Sequence, residues 1–303
     1  MGDIRIFSIK GSIIAEIEGT SIAVEKSLQI LIDKNMETLL GVRFLASEYS
    51  TGKTHAGRID SLGIDENDCP VIIEYKRTLN ENVINQGLYY LDWLLDHKAE
   101  FHNLVRKKYT EKVADNIEWG NPRLLCIAGD FTKYDIHAVA QIQRNIELIR
   151  YQRYGQELLL LELVNVTNVQ PGEIEKSQGH ITKSTYKTFS EILEQADPEL
   201  HDLYESLKAF MEALGDDVQT RVLKYYIAFK RIKNFACIEI RIQKREIFLY
   251  LRVDPGTITL EEGFTRNVRN IGHYGTGDLE VIIRSPYDLV RVKDLIIKSY
   301  ETS

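Results

Sequence analysis

The apolar run Val71-Ile72-Ile73 closes on Glu74-Tyr75-Lys76, and no other stretch restricts the possible folds of this chain so tightly. A continuous β-branched run suits a central strand covered on both faces. Side chains alternate along a strand, so Glu74 and Lys76 share one face while Tyr75 takes the other. Upstream, Arg58 to Ile64 reads as a second strand, and the polar turn Asp65-Glu66-Asn67-Asp68 lets it fold back antiparallel on Pro70 to Lys76. That pairing brings Asp60 towards Glu74. Two carboxylates pressed together without a cation repel, and one is forced to take up a proton. A divalent metal removes the conflict, and hard oxygen donors select Mg2+ or Mn2+. Such an ion lowers the pKa of a bound water and steadies a leaving oxygen, with Lys76 placed to orient that water or to neutralise charge on a phosphate. The residues read as a metal-dependent phosphodiesterase site.

Around this pair, periodicity predicts a short hairpin over Ile4 to Ile17 and a helix over Ser21 to Leu40, with Val24, Leu28, Leu31 and Ile32 at helical spacing and Gly41 as its C-terminal cap. Val42 to Tyr49 is a strand. A helix runs from Glu81 through Trp93-Leu94-Leu95 and on towards Val105. Arg123 to Ala128 and Glu157 to Val166 are apolar enough for interior strands, and Tyr134 to Arg150 between them reads as a helix. From Thr167 to Lys187 the periodicity is lost and the segment reads as a linker. Beyond it are expected a helical pair, Phe189 to Ala196 and Pro198 to Leu214, then strands over Thr220 to Lys230, Phe235 to Gln243 and Glu246 to Val253, a strand over Leu279 to Arg284, and a last helix over Pro286 to Tyr300. The expected division is residues 1–166, a linker at 167–187, and a smaller α+β domain at 188–303.

Asp60 followed, after a turn, by Glu74-Tyr75-Lys76 resembles the PD-(D/E)XK nuclease superfamily. Two neighbouring features extend the likeness. Glu25 sits where the superfamily places a further carboxylate on its first helix, and Gln86-Gly87-Leu88-Tyr89-Tyr90 matches the Gln-x-x-x-Tyr element of RecB-like branches. The stretches Leu39 to Tyr49, Gly57 to Asp60 and Tyr89 to Leu94 resemble a family that pairs a NucS-like endonuclease domain with a small C-terminal domain. Some of its members are labelled "predicted transport protein", which nothing in these residues supports. The functionally specific likeness is confined to residues 25 to 90. It implies an α/β fold with a restriction-endonuclease-like core, in the order helix, three strands, helix, strand. It also implies a Mg2+- or Mn2+-dependent deoxyribonuclease acting in DNA repair or in defence against foreign DNA. Asp60 and Glu74 would be its metal ligands, Lys76 a water-orienting or charge-stabilising residue, Glu25 an auxiliary carboxylate, and Gln86 and Tyr90 substrate-contacting or site-supporting residues. A nuclease fold that binds nucleic acid or protein without turnover is the alternative. A third reading is an enzyme silent until its C-terminal domain is occupied.

A net charge of −7 shows no global footprint for gripping long DNA, so contact with phosphate falls to local cations such as Lys53, Arg58 and Lys76. Ser50-Thr51-Gly52-Lys53-Thr54 resembles the end of a P-loop, but the first glycine of that motif would fall at Ser47 and a strand follows instead of a helix. A basic turn on DNA phosphate is the better functional reading there. Cys69, Cys126 and Cys237 are odd in number and widely spaced, which fits reduced thiols. No apolar run reaches the length of a membrane span and no signal core follows Met1, so a cytoplasmic location without membrane attachment is expected. The Tyr89, Trp93, Leu94, Leu95 stripe serves either a homodimer interface or, more plainly, packing against the sheet. Glu48 reads either as a ligand for a second metal or as a surface carboxylate. In the C-terminal domain, His273 and Asp278 in the loop Gly272-His273-Tyr274-Gly275-Thr276-Gly277-Asp278, with Arg269 and Arg266 upstream, suggest an anion or nucleotide pocket or else a plain glycine-rich loop. Tyr225-Tyr226 beside Lys230-Arg231 reads as core before it reads as a base-stacking platform.

Overall fold

The computed structural model describes residues 4–20, 25–52, 56–76, 83–166 and 188–303, apart from the side chains of Glu25 and Val166. They form mixed α/β structure in two compact units. The first comprises Met1–Ile64, Pro70–Ile117 and Pro122–Thr167, and the second Asp65–Cys69, Glu118–Asn121 and Asn168–Ser303.

The first unit opens with a hairpin of β1 (Ile6–Lys10) and β2 (Ile13–Ile17), turned at Gly11, whose φ of 62° suits glycine. After β3 (Gly19–Thr20) comes α1 (Glu25–Leu40). Its buried stripe is Leu28, Ile32, Met36 and Leu40, whereas Leu31 is exposed; the repeat of four keeps one face on the sheet. Gly41, at φ 64°, ends the helix and donates its N–H to the Glu37 carbonyl at 3.0 Å. There follow β4 (Val42–Ser50), β5 (Arg58–Asp65), β6 (Pro70–Lys76), α2 (Val83–Asp96), α3 (Lys98–Lys108), α4 (Glu111–Asp115), β7 (Arg123–Ala128), α5 (Lys133–Ala140), β8 (Asn145–Tyr154) and β9 (Leu158–Val166). The sheet order is β3-β8-β7-β6-β5-β4, with β9 also on β8. β5 and β6 are antiparallel, while β6, β7 and β8 run parallel.

Register determines what each face of the sheet meets. Ser61 pairs with Ile73, so Ser61, Ile73 and Tyr75 share a face, and Ser61 there bonds Asp33 of α1. Ile72 pairs with Leu124, so Ile72, Glu74, Lys76 and Leu124 look the other way, towards α2. A Cβ built on Gly87 of α2 would stand 2.5 Å from Leu124 Cδ1, and only glycine permits that approach without movement. Gly87→Ala is therefore expected to overpack the α2–sheet contact and to cost about 1–3 kcal/mol, read as a lowered denaturation midpoint in urea at unchanged slope.

Several expectations need correction. The helix read over Tyr134 to Arg150 ends at Ala140, and Asn145–Tyr154 is β8, a central strand. β9 is not interior: among the described residues it pairs with β8 alone, and its described side chains are half-buried or exposed. The long helix after β6 breaks at His97 into α2 and α3. Trp93 and Leu94 are buried within this unit, which is the plainer of the two readings of that stripe. The linker read over Thr167 to Lys187 lies outside the described residues.

The second unit runs α6 (Phe189–Glu194), α7 (Pro198–Glu212), β10 (Gln219–Val222), β11 (Ile227–Lys230), β12 (Asn234–Arg241), β13 (Glu246–Leu251), β14 (Thr265–Asn267), β15 (Leu279–Ile283) and α8 (Pro286–Glu301). Thr220 to Lys230 is thus two strands, and β14 was not foreseen. The antiparallel sheet, ordered β10-β11-β12-β13-β15-β14, packs one face on the helices through Leu203, Leu207, Phe229, Ile238, Leu249 and Ile296. Thr188 and Asp197 cap α6 and α7. No helix among the described residues is long and apolar enough to cross a membrane. Cys69, Cys126 and Cys237 are buried, and among the described residues none of them forms a disulfide.

Candidate active site

β5 and β6 pair so that Asp60 and Glu74 hold each other's strand. The Asp60 backbone N–H donates to Glu74 Oε1 at 3.1 Å, and the Tyr75 backbone N–H donates to Asp60 Oδ2 at 3.0 Å. Each carboxylate thus takes an amide from the opposite strand, and the two acids are tied together on two interior strands of the sheet. Glu74 is fully buried. Burial raises the Asp60 pKa, with the Tyr75 amide and the charge of Lys76 pulling it back down. Lys76, on the face of Glu74 and half-buried, is near enough to act on Asp60 electrostatically.

α1 supports the site from the other side. Gln29 is buried and its Nε2 donates to the Asp60 carbonyl at 2.5 Å, while Lys26 Nζ donates to Gln29 Oε1 at 3.0 Å. Ser61 Oγ donates to Asp33 Oδ1 at 2.5 Å, and burial raises the Asp33 pKa. Lys26, Gln29, Asp33 and Ser61 were not singled out in the sequence. The signal was present in Gln29 and Asp33, two polar residues four apart bordering an apolar stripe, a spacing that puts both on one helix face.

On α2, the Tyr90 hydroxyl accepts the Arg58 backbone N–H at 3.1 Å and the Gln86 side-chain amide at 3.3 Å. A Cβ on Gly57 would fall 2.5 Å from the Tyr90 ring, so the ring presses directly on the backbone entering β5. Gln86 and Tyr90 therefore hold the strand that carries Asp60.

Glu48 lies inside β4. Its φ of 54° is left-handed, a conformation that costs a non-glycine residue of order 1–3 kcal/mol. Its carboxylate pairs with Lys26 Nζ through one oxygen and with Arg58 Nε at 2.6 Å through the other. The Lys26 hydrogen bond, more than any other cause, lowers its pKa. Lys53 lies outside the described residues, as does the Glu25 side chain; the backbone of Glu25 is the first residue of α1.

The donor chemistry of this site fits a hard divalent cation. Asp60 and Glu74 are oxygen donors on neighbouring strands, and of the two Asp60 oxygens only Oδ2 is engaged by a described partner. Among the described residues no group of three or more His, Cys, Asp or Glu is gathered as a metal cage, so an ion here would complete its shell with water and substrate, as Mg2+ commonly does.

Around the C-terminal loop the arginines are paired with carboxylates of the second unit. Arg269 pairs with Asp278 at 2.9 Å and Asp254 at 3.0 Å, and Arg266 with Glu280 at 2.8 Å. His273 stacks on Tyr250 with ring centroids 4.3 Å apart, its Nδ1 2.9 Å from the Ile271 carbonyl. Tyr226 is buried. His273 and Asp278 of the loop, and Arg269 upstream of it, thus have partners within the second unit.

Residues 189–303 match the family model described as a domain of unknown function, DUF5655. No solved structure matches the chain. A protein of Haemophilus influenzae named "Uncharacterized protein" is 30% identical over 303 residues, spanning 97% of this chain and 98% of its own length. At that identity and coverage, the chain belongs to the same family as the Haemophilus influenzae protein.

Proposed function

We propose that the first unit is a Mg2+- or Mn2+-dependent DNA endonuclease of the PD-(D/E)XK type, with a restriction-endonuclease-like core, and that the second unit recognises a partner, a DNA structure or a small ligand. One observation carries the reading: Asp60 and Glu74 are locked side by side through reciprocal backbone amides, with Lys76 on the face of Glu74. Adjacent carboxylates held this firmly are costly unless a cation serves both. Asp60 and Glu74 would hold that ion, which when bound supplies an acidified water and countercharge to phosphate. Lys76 then directs the attacking water or meets charge growing on the phosphate oxygens. Gln29, Gln86 and Tyr90 keep the Asp60 strand in place, and a preformed site does not have to reorganise during reaction. The surrounding low-dielectric sheet strengthens each of these charges.

Incubation of the purified chain with Mn2+ and a panel of single-stranded, double-stranded and branched DNA tests the reading. Cleavage that stops with EDTA is the expected result. A panel left intact, with no Mn2+ bound, removes the nuclease assignment. The acidic balance of the chain, −7, favours a second reading, a nuclease-fold module that binds without turnover; it predicts retention of DNA without cleavage in the same panel.

A further inference from the structure

Glu48 adopts a left-handed backbone inside a strand, φ 54°, although Asn, Asp and Gly are the residues that tolerate it best. The conformation has a visible consequence: it puts one carboxylate between two cations from different elements, Lys26 of α1 and Arg58 of β5. Both cations remain substantially exposed, 50% and 68% at their side chains, while Glu48 is 31% exposed. Exposed ion pairs contribute little to stability, so fold stability alone gives weak grounds for keeping a strained residue in this position. A carboxylate held by a lysine and an arginine has the charge and oxygen geometry of a bound phosphate. Arg58 is two residues from Asp60 along β5, and Lys26 bonds the Gln29 that fixes the Asp60 carbonyl. The cation pair therefore flanks the paired acids.

We propose that Lys26 and Arg58 form a binding subsite for a nucleic-acid phosphodiester, and that Glu48 occupies it as a built-in anion which an incoming phosphate must displace. The identity of the ligand as nucleic acid rests on the nuclease reading; the subsite and its internal occupant do not. In an otherwise acidic protein, such an arrangement keeps the two cations from gathering nonspecific polyanion and reserves them for a strand that also engages the neighbouring site. Displacement exchanges one anion for another, so binding to the wild-type chain is weak and shallow in its salt dependence, whereas vacating the subsite releases both cations.

The test measures binding of a short fluorescein-labelled single-stranded oligonucleotide to the full chain by anisotropy, in EDTA so that no cleavage intervenes. Glu48→Gln should tighten binding roughly three- to tenfold and steepen the slope of log K against log salt by about 1 to 2, as two phosphate contacts are gained. Adding Lys26→Ala and Arg58→Ala to it should remove the gain. Glu16→Gln, an exposed residue elsewhere on the first unit, deletes the same charge and should leave affinity unchanged. Equal affinity of Glu48→Gln and wild type overturns the proposal, as does an equal gain from Glu16→Gln. Should Glu48→Gln fail to fold, Lys26→Ala with Arg58→Ala in the wild-type background carries the test: affinity must fall, and unchanged affinity is fatal. If the gain is present but no DNA is cut in Mn2+, the subsite stands and the nuclease reading is what fails.

Discussion

Asp60→Asn is expected to abolish Mn2+-dependent DNA cleavage, a loss of at least about a hundredfold, and Lys76→Ala to lower it by roughly 10²–10³-fold. The two losses have different origins. In Asp60→Asn the side-chain carbonyl can still accept the Tyr75 amide, so the pairing seen at Asp60 Oδ2 and the strand register survive, while the charge that would attract the ion is gone. Ion binding should fall with activity. Lys76→Ala leaves both acids in place, so ion binding should persist while turnover falls. Circular dichroism and thermal unfolding of both variants should match the parent within experimental scatter. Activity retained in both would indicate that a contaminant, not this chain, was cutting the DNA.

The second large effect concerns stability. Arg123, the first residue of β7, and Glu147 of β8 form a two-pronged ion pair at 2.7 and 2.8 Å, with side-chain exposures of 3% and 0%. Removing one partner strands the other charge in a dry interior. Glu147→Ala is therefore expected to destabilise the first unit by about 3–5 kcal/mol, a large share of the stability of a typical domain. Arg123→Met with Glu147→Leu, which removes both charges and retains volume, should recover most of that loss. Chemical denaturation monitored by tryptophan fluorescence measures it, since Trp93 is buried in the same unit. A single Glu147→Ala variant as stable as the parent would mean that the pair is hydrated in solution.

How much of this could be read in the sequence depended on whether a signal was local. The β5–β6 hairpin was legible because an apolar run, an alternating strand and a polar turn are adjacent in the chain, and register then placed Asp60 against Glu74. Gly41 was legible as a helix end because a positive φ selects glycine. β8 was not. Ile146, Ile149 and Arg150 also satisfy helical spacing, and the break at Gln141-Ile142-Gln143-Arg144 contains neither Gly nor Pro to announce it. β9 misled in another way: Leu158 to Leu161 looks like a strand covered on both faces, yet among the described residues it has a single neighbouring strand. The support from α1 was legible only in part: the spacing of Gln29 and Asp33 puts both on one helix face, but a glutamine on a helix looks the same in sequence whether it faces water or, as Gln29 does, the Asp60 carbonyl. The left-handed Glu48 gave no warning either, as glutamate is not a residue that signals a positive φ.

Titration of the full chain with Mn2+ by isothermal calorimetry most directly tests whether Asp60 and Glu74 form an ion site. One ion per chain in the parent is expected, with binding lost in Asp60→Asn and in Glu74→Gln but kept in Lys76→Ala. An unchanged isotherm in either acid variant would show that these two carboxylates are not the ligands.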